Sequence, residues 1–498
     1  MLRESALVQE KLMSYLEKYF NKVAPSARTS AATAYLAALD HIKHTSPLVT
    51  EAIVQELKDQ RSHLKLIASE NYSSLAVQLS MGNLLTDKYA EGYPQHRFYA
   101  GCDNVDRIEQ AAVNEAKILF GAEHAYVQPH SGADANLVAF WSILVQRVQN
   151  KELEKLGKKS IDTLSSEEYE SVRMAMLSQK MMGLSLHSGG HLTHGYRHNV
   201  SAKMMRSVSY DVDPTTERLD YAHLSAKVKE EKPAILIAGY SAYPRPINFA
   251  TMREIADSVG ATLMVDMAHF AGLVAGKVFT GDYNPVPFAH IVTSTTHKTL
   301  RGPRGGLILC DAAFKEIVDK GCPLVLGGPL PHVIAAKEIA FKEARSHSFQ
   351  EYAQQIVRNS QALGRALMTK GARLTTSGTE NHLMVIDTMA SFGLTGRQAE
   401  SVLRKAGVTA NRNAIPFDTQ KPWYTSGIRL GTPAVTTLGM REGDMEEIAS
   451  YVIDILRAAT PVSASPSEAL IDTDIAEKIQ KNILLLLERF PLYPEILL

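Results

Sequence analysis

Apolar residues recur along the chain with two periods, and the change of period marks the elements. Val8, Leu12, Tyr15 and Tyr19 share one stripe of a 3.6-residue helix. Residues 1–62 therefore read as an amphipathic helical arm, interrupted by the turn-forming run VAPSARTS. AAVNEAKILFG reads as a helix ending at Gly121, and TMREIADSVG as one ending at Gly260. Between such stretches stand short apolar runs, ILIAGYSAY, ATLMVDMAHF and HIVTSTTHK, of strand length and β-branched content. Helices alternating with buried strands predict an α/β fold whose large domain, residues 63–345, carries a mostly parallel sheet. The charged stretch VQNKELEKLGKKSIDTLSSEEYE reads as an exposed insertion at about 145–182. After residue 345 the pattern mixes helices with the runs GARLTTSGTENHLMVIDT, AGVTANRNAIPF and SGIRLGTPA. This predicts a smaller C-terminal α+β domain, residues 346–498, closed by a helix over 466–490.

Length agrees with this division, because 498 residues exceed what one hydrophobic core supports. Lys and Arg total 53, as do Asp and Glu, so the net charge is zero. No whole-molecule field exists to gather nucleic acid or an anionic membrane. Three cysteines, Cys102, Cys310 and Cys322, are too few for a disulfide framework and lack zinc-site spacing. The opening residues MLRESALVQEKL contain no apolar signal core, and the longest apolar run, NILLLLERF, is too short to span a bilayer. The expectation is a cytoplasmic enzyme with no nucleic-acid or membrane partner.

In a parallel α/β sheet, ligands bind beyond the carboxyl ends of the strands. Asp266 ends one predicted strand, His269 follows it, and Lys298 follows the next. A single lysine at such a place is ordinarily a surface side chain with its stem on apolar neighbours. The surrounding STTHKTLRGPRGG argues otherwise, since it gathers hydroxyls, His297, two arginines and three glycines around that lysine. Hydroxyls and glycines suit a phosphate, and a lysine desolvated among cations becomes a nucleophilic amine. An aspartate one strand earlier is the partner that holds the ring nitrogen of pyridoxal phosphate protonated. The pair alone is compatible with other sites. His187, His191 and His194 would line one face of a helix as metal ligands, but Gly189 and Gly190 make that helix poor. No metal is expected.

Seven blocks carry a stronger signal: KLIASENY, TDKYAEGYP, VQPHSGADAN, GGHLTHG, VDMAHFAGL, STTHKTLRGPRGG and SGIRLGTPA. In this order they closely resemble serine hydroxymethyltransferases, fold-type I enzymes dependent on pyridoxal 5'-phosphate. The resemblance implies that Lys298 carries the cofactor, Asp266 pairs with its ring nitrogen, His269 lies near its phenolic oxygen and His191 stacks on its ring. It implies phosphate contacts from Ser131, Gly132, Ser241 and His297, with Tyr89, Gly327 and Gly328 arriving from a neighbouring subunit. Arg429 would clamp the substrate carboxylate, assisted by Ser69 and Tyr99; an arginine fork holds a carboxylate bidentately as lysine cannot. Glu91 would transfer protons, with Thr295 and His297 beside Lys298 also in the catalytic set. Leu186, Gly190, Leu192 and Asn413 match folate-contacting positions.

The implied reaction moves the hydroxymethyl group of L-serine reversibly to tetrahydrofolate, leaving glycine and 5,10-methylenetetrahydrofolate, in a homodimer with shared active sites. A second outcome on the same cofactor is folate-independent cleavage of 3-hydroxy amino acids, or racemisation of alanine. The chain departs from the family pattern at Phe98, where tyrosine is common, and at Ala133, where serine is common. CPLVLGGPL also lacks the first glycine pair of the usual PGGQGGPL.

Overall fold

The computed structural model describes residues 13–462 and 465–498, so Val8 and Leu12 of the arm's stripe lie outside the described residues. Seven strands form the central sheet: β1 His124–Tyr126, β2 Lys180–Leu184, β3 Arg206–Tyr210, β4 Ile235–Gly239, β5 Thr262–Asp266, β6 Ile291–Thr295 and β7 Gly306–Cys310. Their spatial order is β1-β7-β6-β5-β4-β2-β3. From β6 to β3 all neighbours are parallel; β7 alone runs antiparallel to β6 and β1. The register places Gly239 beside Asp266 and Asp266 beside Thr293, so these strands end level.

Every residue of β4 to β7 is buried, which is why their sequences read as continuous rather than alternating apolar runs. Successive side chains serve opposite faces. Leu236, Ala238, Leu263 and Val265 enter one core, while Ile235, Ile237 and Met264 enter another with Phe140 and Ile143 of the helix Gly132–Leu144. That helix runs on through residues 145–149 and Asn150–Lys155, burying Val145, Val148 and Leu153. The expected insertion is thus exposed only in part, and its last residues belong to β2, because apolar positions at its start continue the helix's buried face.

A third core gathers Leu363, Leu367, Met384, Ile386, Ile428, Leu430, Ile448 and Val452. It lies against an antiparallel sheet of β8 Leu383–Asp387, β9 Asn411–Asn413 and β10 Gly427–Gly431, ordered β8-β10-β9. The helix His347–Thr369 serves two cores, giving Phe349, Tyr352 and Ile356 to the first and Leu363 and Leu367 to the third. Leu64 and Leu66 also enter the third core, and the strand Leu64–Lys65 pairs in parallel with Val408–Thr409. The predicted closing helix spans Thr473–Glu488, shorter than 466–490, because Ala469–Ile471 instead pairs with Ala459–Pro461.

The arm comprises helices Tyr15–Lys22, Ser30–Thr45 and Pro47–Ser62, each started by a hydroxyl cap: Ser14, Thr29 and Ser46. Tyr19, Leu36, Leu39, Val54 and Leu57 pack against Tyr72, Leu75, Ala434, Leu492 and Ile496. Arg61 fastens the chain's end by donating to the carbonyls of Leu492, Tyr493 and Ile496. No helix among the described residues is long and apolar enough to cross a membrane.

Candidate cofactor and substrate site

Lys298 follows β6 in a tight turn whose carbonyl accepts from the Asn71 amide at 3.0 Å and the Arg301 N–H at 3.1 Å. Among the described residues no acid lies within ion-pair distance of its amine. Burial, reinforced by Arg429 and Arg304 and opposed by Asp266, draws its pKa down to about 8. The uncharged fraction of the amine near neutrality is therefore far larger than that of an ordinary lysine.

Asp266 ends β5 and is nearly buried. Its Oδ2 accepts from Asn136 Nδ2 at 2.9 Å and faces His194 Nε2 at 3.1 Å, while Oδ1 accepts the Ala268 N–H at 3.0 Å. Burial alone would raise the carboxyl, but the His194 imidazole, with His191 and Asn136, outweighs it and holds Asp266 well below the usual carboxylate range. Asn136 is fixed in turn by Thr193 and by the Thr293 hydroxyl, at 2.7 and 2.6 Å. His191 Nδ1 lies 2.7 Å from Thr193 Oγ1, and burial lowers its pKa to about 4. His191, His194 and Asp266 offer ligand atoms within 4.8 Å of one another, yet these atoms already serve one another and their neighbours by hydrogen bonding. The segment is not an α-helix, because Gly189 takes φ 103°, and His187 stands apart from the trio.

His269 Nδ1 lies 3.1 Å from His382 Nε2. Burial, with Lys298 and Arg429 nearby, holds His269 well below its ordinary value, and burial takes His382 to about 3. His297 is likewise drawn to about 3, first by burial and then by Arg304, Lys298 and Lys337. Its Nδ1 accepts from the Gly305 N–H at 3.4 Å.

Arg429 sits in the middle of β10, 8% exposed. It donates to the Ser241 carbonyl at 2.7 Å, to Asn411 Oδ1 at 3.2 Å and to Ser69 Oγ at 3.5 Å. None of these is an acid, and burial lowers its pKa to about 10. A half-buried lysine and a buried arginine, neither with an acidic partner, call for an anionic ligand.

Ser131 caps the helix Gly132–Leu144 by accepting from the Asp134 N–H at 3.1 Å. Gly132 allows this helix start to approach β6, since a Cβ there would come within 2.7 Å of Thr295 Cγ2. The Thr295 hydroxyl donates to the Ala268 carbonyl at 3.3 Å, tying the ends of β5 and β6 together. The loop after β2 carries Leu186, Gly190 and Leu192, and Gly189 accepts from Ser241 and Ala242 after β4. Asn413 ends β9 opposite Gly427, two residues from Arg429.

A second cluster lies at the surface. The Tyr89 hydroxyl donates toward Glu91 at 3.4 Å, the Tyr89 and Tyr99 rings are 4.8 Å apart, and Gly328 abuts Tyr89. Among the described residues no hydrogen bond, ion pair or ring contact joins these side chains to Lys298, Asp266 or Arg429. Gly328 thus meets Tyr89 within one chain, and His130, beside Ser131, faces the Gly328 carbonyl at 3.1 Å. A cleft of about 510 Å³ opens beside them, lined by Tyr93, Phe98, Cys322 and Leu324 among others.

A sequence model of the serine hydroxymethyltransferase family matches residues 42–155 and 158–452. The chain belongs to this family. It is 59% identical over 488 residues to a serine hydroxymethyltransferase of Treponema pallidum, covering 97% of this chain and 85% of the relative. The enzyme of that name from Chlamydia muridarum is 53% identical over 97% of this chain and 99% of its own length. That of Mycolicibacterium smegmatis is 55% identical over 93% and 95%. As a serine hydroxymethyltransferase family member the chain is a fold-type I enzyme that works with pyridoxal 5'-phosphate. The residues present fit that group: a half-buried lysine with a lowered pKa, an ionised aspartate, an arginine without an acidic partner and a helix start closed by Ser131 and Gly132. Sequence reading missed Asn136 and His382 and weighed His194 only as a metal ligand; VQPHSGADAN contained Asn136, but nothing in the sequence named its partners.

Proposed function

We propose that the site transfers the hydroxymethyl group of L-serine to tetrahydrofolate, releasing glycine and 5,10-methylenetetrahydrofolate. Bound to Lys298, pyridoxal phosphate supplies an electron sink for the bonds at the substrate α-carbon. Asp266, kept ionised by His194 and Asn136, holds the ring nitrogen protonated. Ser131, Gly132, Ser241 and His297 hold the phosphate, and His191 covers the ring. His269, neutral and braced by His382, would lie near the phenolic oxygen. Arg429, with Ser69 and Tyr99, grips the substrate carboxylate and so selects which α-carbon bond breaks. Thr295 would steady the turn that carries Lys298. Glu91 accepts and returns the serine hydroxyl proton, for which a half-buried carboxylate on a fixed loop is suited. Leu186, Gly190, Leu192 and Asn413 bind the folate.

We further infer a homodimer in the cytoplasm, in which Tyr89, Gly327 and Gly328 face the partner's site. Each chain divides into the arm 1–62, a cofactor-binding domain 63–345 and a small domain 346–498. The reading is carried by one observation: a half-buried Lys298 and the buried Asp266 and Arg429 gather about the level ends of β4 to β6. Purified protein with serine and tetrahydrofolate should form glycine, and Glu91→Gln should slow this at least about 100-fold. A wild type that forms no glycine contradicts the reading.

A further inference from the structure

Glu91 stands on a two-stranded hairpin, Gly92–Tyr93 with His96–Arg97, at the edge of the rim. Among the described residues its side chain has one hydrogen-bond partner, the Tyr89 hydroxyl. Its backbone, in contrast, is held on every side. The Glu91 carbonyl accepts the Phe98 N–H at 3.0 Å. The carbonyls before and after it, Ala90 and Gly92, both accept from Arg97 Nη1 at 2.9 Å. Gly92 is required there, because at φ 96° a Cβ would lie 2.1 Å from the His96 carbonyl oxygen.

The Arg97 guanidinium has its other corners occupied as well. Nε donates to Asp106 at 2.8 Å and Nη2 to Glu109 at 2.6 Å, both acids lying on the helix Asp103–Phe120. Gln128 closes the ring, donating to the Gly92 carbonyl at 2.8 Å and to the second oxygen of Glu109 at 2.7 Å. Gln128 is two residues beyond β1 and three before Ser131, so the hairpin and the phosphate loop hang on one polar layer. The Arg97 and Glu109 side chains are 4% and 2% exposed. A buried pair of this kind adds little net stability compared with apolar residues, but it fixes geometry, since each partner has one satisfactory arrangement. Lysine, a point charge with a flexible stem, cannot span two carbonyls and two carboxylates at once.

We infer that Arg97, seated by Glu109 and Asp106, is a positioning residue that sets the place of the Glu91 carboxylate by gripping the carbonyls on either side of it. The inference rests on the assignment of proton transfer to Glu91. It acts through backbone alone: Arg97 touches no substrate, and its loss should lower turnover without changing how cofactor or serine binds.

The test is a double-mutant cycle on the cofactor-loaded enzyme, with Glu91→Gln, Arg97→Lys and the pair. Arg97→Lys alone should lower kcat of transfer ~10-fold, as expected for a misplaced proton-transfer group. The KM for serine and the pyridoxal phosphate affinity, read by titrating the apoenzyme spectroscopically, should stay within about twofold. In the Glu91→Gln background the same substitution should change kcat by less than about twofold, since there is no carboxylate left to place. An equal loss in both backgrounds, or a loss of cofactor affinity, overturns the inference and leaves the Glu91 assignment standing. An unimpaired Glu91→Gln enzyme overturns that assignment and, with it, the inference. If Arg97→Lys does not fold, Asp106→Asn loosens the same grip at a less buried position and should show the same non-additivity at smaller size.

Discussion

The interior of the site and its rim are built on opposite rules. Around Asp266 and Arg429, 7% and 8% exposed, nearly every polar atom is matched within one chain: Asn136, Thr193, Thr293, His194 and Ser241 each fill a named donor or acceptor. The rim leaves large apolar and aromatic side chains open, with Tyr89 57%, Phe98 71% and Leu324 64% exposed. An exposed cluster of that size on a chain with a finished interior marks a surface built to be covered. Under the proposed roles, Lys298, Asp266 and Arg429 are arranged within one chain, whereas proton handling at Glu91 and the closing of the site would need the partner subunit.

The largest effect should come from the interior. Lys298→Ala should lower glycine formation from serine and tetrahydrofolate by on the order of a thousandfold or more, while sedimentation still reports the dimer. Substantial residual turnover would show that the amine is dispensable. Arg429→Lys keeps the charge but loses the fork, and kcat/KM for serine should fall about 100-fold with the cofactor still bound. Phe98→Asp tests the other region. It should weaken self-association at least about tenfold, measured by sedimentation over a dilution series, and turnover should become dependent on protein concentration. If activity per chain stays constant on dilution into monomer, the rim is not shared.

The smallest effect concerns His382, which faces His269, Lys298 and Arg429. Its folded pKa of about 3 lies below the ordinary histidine value near 6.5. Between those values the unfolded chain binds a proton that the folded chain refuses, so stability rises with pH across that window. His382→Asn should flatten the urea midpoint against pH between about 4 and 6.5, by up to roughly 1.4 kcal/mol per pH unit. An unchanged slope would show that His382 titrates normally in the fold.

What the sequence revealed, and what it hid, follows from the same contrast. Strands β4, β5 and β6 were legible because burial on both faces forces unbroken apolar runs, and Asp266 and Lys298 announced themselves by ending or following such runs. Arg429 stood out between glycines in an otherwise apolar strand. Asn136 and His382 were silent, since each is one polar residue in an ordinary setting whose partners lie 57 to 157 positions away. Arg97 was silent for another reason: its role lies in two backbone carbonyls, which every sequence possesses. The buried start of the 145–182 segment was hidden by its charge, because a helix can carry Lys and Glu on one face while Val145, Val148 and Leu153 fill the other.

The account depends above all on the amine at position 298. The purified protein should be reduced with borohydride in the presence of its cofactor, digested, and its peptides weighed. A pyridoxyl-phosphate mass on the peptide containing Lys298, and on no other, is the result predicted by its place near Asp266 and Arg429. The same mass on a different lysine, or on none, would contradict the assignment and the roles given to its neighbours.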